Sequence, residues 1–584
     1  MKYFKYILLL MIVGLLNSCV KDLLDQQPTT AVSSDLFWKT TDDALTSTLG
    51  VYQATRTLFG RDYYFDGVGE FQNTRGTSGG SVGNNFYQTN GGSFGAMWND
   101  AYRVINRANF TIKNIEAMIQ RTTHEETKKQ LERVNGENYF LRALAYFRLI
   151  QLWGDVPYYT QVLEGDEEAI TLSRTPINEI KDNLIQDLTY AVSVLPTKIT
   201  NTGERGRATQ VSALAFRGKI ELYWASWKKY GWPELDGFTQ SASEAQQAYQ
   251  KAADDFRKVI NDYGLKLFSE GNPGTYDNPS YGRLFQYYSE YDPEIIFSVQ
   301  FGGPNLGQGE EMLRDFGTRT TGNAQCWVMP CSRLVDRYQS LTTGDWVEPL
   351  VLVNNPATPN GSLNPQSYEN RDWRMKATLL WEGETIQGIS NDGYNMTGTF
   401  IMKMGVREAP YINNDASGQT GYLYRKWIRQ EPIAERSQGP QDFYLMRLAD
   451  VYLMYCEAVN EVSGPSDELV SLVDKIRQRG NLPGLAPAKY ADKAAFFDAI
   501  KQERIVELIA EGIRPFDIRR WREAEAIWGG PQSPGWPMYN TQGGFVKDQL
   551  KNVDARTYER FYIYKISDTD RSRNLNLTQN RPWL

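Results

Sequence analysis

Residues 137–153, ENYFLRALAYFRLIQLW, do most to narrow the folds open to this chain. Their apolar side chains do not keep to one stripe: after the opening Glu137-Asn138, only Arg142, Arg148 and Gln151 interrupt an apolar circumference. A surface helix needs one apolar face, whereas a helix that is apolar all round must be covered from several sides. No segment beyond the N-terminus offers the ~18 consecutive apolar residues of a membrane span, so other helices have to supply that cover.

Hydrophobic periodicity predicts those neighbours over residues 42–58, 98–118, 176–195, 207–228 and 245–263. The last of them reads Ala248-Tyr249-x-x-Ala252-Ala253-x-x-Phe256-x-x-Val259-Ile260-x-x-Tyr263. Small residues at that spacing let a second helix approach and aromatics fill the groove, as in tetratricopeptide helix pairs. The candidates do not keep the regular period of about 34 residues, so the repeat is degenerate. From 269 to 440 Gly, Pro, Asn and aromatics scatter among short extended pieces such as residues 294–300. Helices are expected again over 442–461, 466–479 and 494–510, followed by a loop-rich tail from about Thr541. With 584 residues, two or three packed units are expected. The fold class is mostly α: a tetratricopeptide-like helical-hairpin scaffold with a loop-rich, minor-β half. The division expected is 19–268 for the helical region and 269–584 for the rest, with 269–440 as its loop-rich insert.

The sole histidine, His124, lies in a polar run and reads as a solvated helix start. Zinc-protease helices, Ser-His-Asp triads and iron facial triads need histidines in partnership, so those chemistries are excluded. A net charge of -7 argues against nucleic acid, which demands a basic footprint. Aromatics make up 13% of the chain, through which core filling and a stacking surface both remain open.

Lys2 and Lys5, an apolar stretch from Ile7 to Leu16 and then Asn17-Ser18-Cys19 describe a secretory signal, residues 1–18. A cysteine directly after it resembles a bacterial lipobox, making Cys19 the lipidated first residue of the mature chain; the plainer reading is an ordinary signal with a chance cysteine. Lipidation tethers the protein to a membrane. Of the remaining cysteines, Cys456 sits on an apolar helical stripe, while Cys326 and Cys331 can pair in an oxidising compartment.

Glu503, Glu507 and Glu511 are spaced by four on one helix face and are the most catalytic-looking feature. Paired carboxylates can hydrolyse glycosides. Here Arg504, Arg514, Arg519, Arg520 and Arg522 accompany them, which reads as an ion-paired network fixing the helix and the turn at Gly512. No catalytic residue, metal ligand or cofactor motif is assigned. Residues 61–99 form the best ligand candidate, with Glu70, Asn73, Arg75, Tyr87 and Trp98 among their polar and aromatic side chains. Sugars ask for an aromatic platform plus amides, carboxylates and guanidinium for their hydroxyls. Trp98 is equally suited to helix packing. Trp327 is placed to supply an opposing stack, with Trp346 and Trp373 behind it.

Taken in order, several segments resemble one family. They are Cys19; Trp98-x-x-x-Tyr102-x-x-Ile105-x-x-Ala108-Asn109; Phe140 to Phe147 with Trp153-Gly-Asp-Val-Pro157; and Gly206-Arg-Ala-Thr209. Farther on stand Tyr368-Glu-Asn-Arg-Asp-Trp-Arg374, Phe443 to Asp450, Glu503-Arg-x-x-Glu507, Glu511-Gly512-x-Arg514-x-x-Asp517-x-x-Arg520-Trp521 and Asn576-Leu-Thr-Gln-Asn580. The chain resembles the SusD/RagB family of outer-membrane nutrient-binding lipoproteins of the Bacteroidetes. Trp373, Arg581 and the run Tyr562 to Lys565 depart from that family's usual residues, all in scaffold segments. The resemblance implies an outer-membrane, lipid-anchored protein facing the cell exterior that performs no bond chemistry. It would capture oligo- or polysaccharide for a SusC-like TonB-dependent transporter. It also implies ligand contacts in the N-terminal loop and at the start of the Trp98 helix. Rival functions are a peptide-binding relative, a docking scaffold without a ligand, and a helical glycoside hydrolase.

Overall fold

The computed structural model describes residues 37–74, 93–163, 165–302, 309–317, 325–347, 368–381, 384–386, 398–401, 411–413, 422–429, 437–528, 538–540, 544–546 and 558–584. Cys19, Arg75 and Tyr87 lie outside them. No described helix is long and apolar enough to cross a membrane.

The helical half consists of α1 (Thr41–Phe59), α2 (Ser93–Arg121), α3 (Glu125–Trp153), α4 (Ile177–Val194), α5 (Gln210–Tyr230) and α6 (Ala242–Asp262). α3 begins earlier than its apolar run, because His124 caps it by accepting the Thr127 N–H on Nδ1. From Phe140 to Trp153 every residue of α3 is buried. The cover comes from α1, α2 and α4, each packed on α3. Its two arginines are paired, as burial requires. Arg142 holds Asp187 of α4 at 2.8 Å and Asn109 of α2 at 2.9 Å, and Arg148 grips Asp62.

α5 and α6 form the hairpin that the alanine-aromatic spacing anticipates. Ala248, Ala252, Ala253 and Phe256 are buried on α6, and the close approach is made at Gly218 of α5. A Cβ there would stand 2.8 Å from the Phe256 ring, inside van der Waals contact, so only glycine admits this approach.

α7 (Leu448–Ser463) packs on α6, and α8 (Asp467–Gln478) and α9 (Lys493–Leu508) continue from it to the short α10 (Arg514–Trp521). The sequence predicts helix from residue 442, but Phe443–Arg447 is a strand. It pairs antiparallel with Ile295–Val299, the extended piece read at 294–300. Long-range pairing overrides local periodicity here, and the aromatic Phe443-Tyr444 start suits a strand. The extended backbone also carries Arg447 to Glu294, Glu507 and Glu511.

Cys456 is buried in α7, as its stripe implies. Cys326 and Cys331 are buried thiols, not a disulfide. The strand Val328–Pro330 lies between them. At roughly 3.3 Å per residue it carries their Cα atoms beyond the ~7 Å that a disulfide tolerates.

Candidate functional site

The N-terminal ligand segment and the Trp327 patch, far apart in sequence, are brought together by one ribbon. Strand β1 (Gln72–Thr74) pairs antiparallel with β2 (Val328–Pro330), setting Gln72 opposite Pro330, Asn73 opposite Met329 and Thr74 opposite Val328. The Cys331 N–H extends the ribbon by donating to the Phe71 carbonyl at 2.8 Å.

The ribbon's approach is anchored from two sides. Residues 62–68 form a buried 3-10 turn whose Asp66 accepts backbone N–H groups from Gly512 (3.0 Å) and Arg514 (3.2 Å). Burial pushes the Asp66 pKa up to about 7, against the pull of those two N–H groups. Glu70 is buried, with Arg514 in a charge-assisted fork at 2.6 Å and 3.0 Å. On the other side Tyr63 donates to Asp315 at 2.7 Å, and Arg61 reaches the same carboxylate at 2.9 Å.

Asp315 lies in a short helix, Met312–Phe316, whose C-terminal carbonyls hold the backbone at Trp327. The Trp327 N–H donates to the Asp315 carbonyl, and those of Gln325 and Cys326 to Arg314 and Gly317. Cys326 adopts a φ of 48°, left-handed geometry that an ordinary side chain enters only at a cost of about 1–2 kcal/mol. The indole, half-buried against the core, donates Nε1 to Gln325 Oε1 at 2.6 Å. Arg61, its side chain 49% exposed, Glu311 and Arg314 form the adjoining ion cluster, Arg61 to Glu311 at 3.2 Å and Arg314 to Glu311 at 2.7 Å. A partly open indole beside guanidinium, carboxylate and amide groups offers stacking and fixed hydroxyl partners together.

Trp98, for which stacking and packing were both open, is a core residue on α2. The residue is 7% exposed, its ring in contact with Trp153 at 5.2 Å and Tyr102 at 5.1 Å between centroids. Glu70 does not present its carboxylate to solvent, because Arg514 takes it. Asn73 is placed by its register on β1. Trp373 begins a helix of six residues, and Trp346 lies half exposed near Arg337. Spacing gave no sign of Arg61 or Glu311, which meet only across 250 residues of chain, nor of Arg314 and Gln325, which join locally, Arg314 on Glu311 and Gln325 on Trp327.

Glu503 and Glu507 of α9 are buried in an ion network together with Glu511, which lies in the turn beyond the helix end at Leu508 and not on the same helix face; their partners are other than the nearby arginines read from sequence. Glu503 pairs with Arg374 and Arg477, Glu507 with Arg374, Arg447 and Arg479, and Glu511 with Lys426 and Arg447. The accompanying arginines go elsewhere: Arg504 to Asp450 and Asp517, Arg514 to Glu70, Arg520 to Glu457 and Asp517, and Arg522 to Glu234. Burial alone would raise the Glu507 pKa, but Arg479, Arg447 and Arg374 hold it down at about 2. Such a carboxylate carries no proton to donate near neutrality. Among the described residues no group of three or more His, Cys, Asp or Glu is arranged to hold a metal ion.

Residues 293–583 match the family model described as SusD family, and residues 24–222 match one described as "Starch-binding associating with outer membrane". A SusD-like protein of Formosa agariphila is 26% identical over 542 residues, covering 87% of this chain and 88% of its own. Among solved structures, a SusD-like carbohydrate binding protein from Bacteroides fragilis superposes with a TM-score of 0.71 at 19% identity, over 93% of this chain and 100% of that one. A laminarin binding SusD-like protein gives 0.62 at 20% identity, over 93% and 99%.

Proposed function

The chain belongs to the SusD/RagB family, and from that premise we propose that it is a cell-surface lipoprotein that captures oligo- or polysaccharide for import. On this reading Cys19 carries the lipid, the outer membrane holds the anchor, and a SusC-like TonB-dependent transporter receives the glycan. The observation that carries the ligand reading is the β1–β2 ribbon, which sets the N-terminal segment beside Trp327 and the Arg61–Glu311–Arg314 cluster. The neighbours described as carbohydrate binding and laminarin binding support the same class of ligand. Trp327 is the stacking residue, Arg61 and Glu311 pair hydroxyls, and Asn73 borders the patch. The protein holds the glycan without breaking it.

A glycan array run beside a peptide panel tests this reading. Saturable binding to one glycan class, with the glycan recovered intact after prolonged incubation, is the expected result. Binding confined to peptides, or release of shortened sugars, would replace it.

A further inference from the structure

A groove of about 780 Å³ opens beside the Glu70–Phe71 end of β1, away from Trp327 along the ribbon. Phe71, Arg337, Trp346, Gln502 and Arg514 are among its walls. Trp346 is 49% exposed, an indole left half in water.

Several cations around the groove are matched. Arg514 holds Glu70 at 2.6 Å, Arg477 holds Glu503 at 2.7 Å, and Lys489 holds Asp345 at 2.9 Å. Lys501 lies between Asp498 and Glu523 at 2.8 and 2.9 Å. Arg337 differs. Its guanidinium lies over the rings of Phe71 and Trp346, 5.5 and 5.4 Å from their centroids, and among the described residues it has no ion-pair partner. Ring faces attract the charge without satisfying a forked set of N–H donors. Burial meanwhile works against that charge, with Glu70 opposing. Gln502 donates Nε2 to the Arg337 carbonyl at 2.7 Å, which leaves Gln502 Oε1 buried and without a partner. A buried acceptor in that state is uncommon and costs free energy.

We propose that this groove is a second saccharide site that takes an anionic sugar unit, with its ring stacked on Trp346 and its carboxylate or sulfate accepting from Arg337. Gln502 Oε1 accepts a hydroxyl of the same unit. The shared chemistry is an oxyanion on a sugar, and it comes from a uronic acid or from a sulfate ester. The site is separate from Trp327 and does not depend on what binds there.

Calorimetry on the full chain with trigalacturonate, a sulfated carrageenan tetrasaccharide and hexaglutamate decides the matter. Saturable binding of one or both anionic sugars is expected, and which of them binds identifies the anion. Arg337→Gln and Trp346→Ala should each weaken it at least tenfold, while Trp327→Ala leaves it unchanged. Trp346→Ala truncates a half-exposed ring and keeps the test alive should Arg337→Gln fold poorly. Absence of binding by both sugars, or unaltered affinity in the folded variants, overturns the proposal. So does hexaglutamate binding as tightly as the sugars, which would make the groove an acidic-peptide site. Neutral glycan binding at Trp327 is read separately, so failure here leaves that reading standing.

Discussion

Glu507→Gln keeps the shape of a buried side chain and removes its charge, leaving three guanidinium groups facing a neutral amide. Arg447, Arg374 and Arg479 stand 2.6, 3.1 and 3.4 Å from the Glu507 carboxylate oxygens. Breaking a buried pair on one side costs roughly 3–5 kcal/mol. Proton linkage gives a similar figure: a fall in pKa from 4.5 to about 2 corresponds to about 3 kcal/mol at 1.36 kcal/mol per pKa unit. Glu507 has a depressed folded pKa, so its contribution is full above 4.5 and disappears as pH falls through about 2. Less than half should remain at pH 3. A chain of this length that melts as one unit has an unfolding entropy of about 1 kcal/mol/K, so the variant should lose roughly 3 °C of Tm at pH 7. Scanning calorimetry at pH 7 and pH 3 measures both the loss and its shrinkage in acid. A variant melting within 1 °C of the parent at pH 7 would refute the network argument. A fully stable variant that had lost a glycan-cleaving activity would refute the binding-protein reading as well.

Trp327→Ala should weaken neutral glycan binding about five- to thirty-fold, since an aromatic contact is worth on the order of 1–2 kcal/mol; calorimetry on a variant of unchanged circular dichroism reads this, and wild-type affinity would move the site elsewhere. Cys19→Ala should release the protein from membranes or leave it unprocessed, and unchanged retention with normal processing on cell fractionation would exclude lipidation. Glu290 and Asp442 share a buried site, the Asp442 N–H donating to Glu290 at 2.7 Å, and burial and mutual repulsion push the Glu290 pKa up. A raised folded pKa costs stability as pH rises above the ordinary carboxyl value, so Glu290→Gln should be more stable than the parent at pH 8, by on the order of 1 kcal/mol, and nearly equal to it at pH 5. Urea denaturation at the two pH values checks the sign, and a variant less stable at pH 8 would contradict it.

Helical elements were legible wherever one local pattern governs them. The apolar circumference of residues 137–153 dictates a helix covered on several sides, and the alanine-aromatic spacing of 248–263 dictates a close hairpin. The acid-rich face of α9, crowded by arginines, already read as scaffold. Sequence spacing stops at contacts that close over hundreds of residues. Phe443–Arg447 became a strand because the 294–300 segment was there to pair with it. The arginines neighbouring the α9 glutamates in sequence pair elsewhere, because a helix face is matched by whatever the fold lays against it, here Arg374, Arg447, Arg477 and Arg479. Residue type made both Trp98 and Trp327 eligible to stack; only tertiary packing buried the first between Trp153 and Tyr102 and left the second half open, its Nε1 on Gln325. Hydrophobicity determines that an indole seeks cover, whereas which indole remains partly uncovered depends on how many neighbours the completed chain places around it.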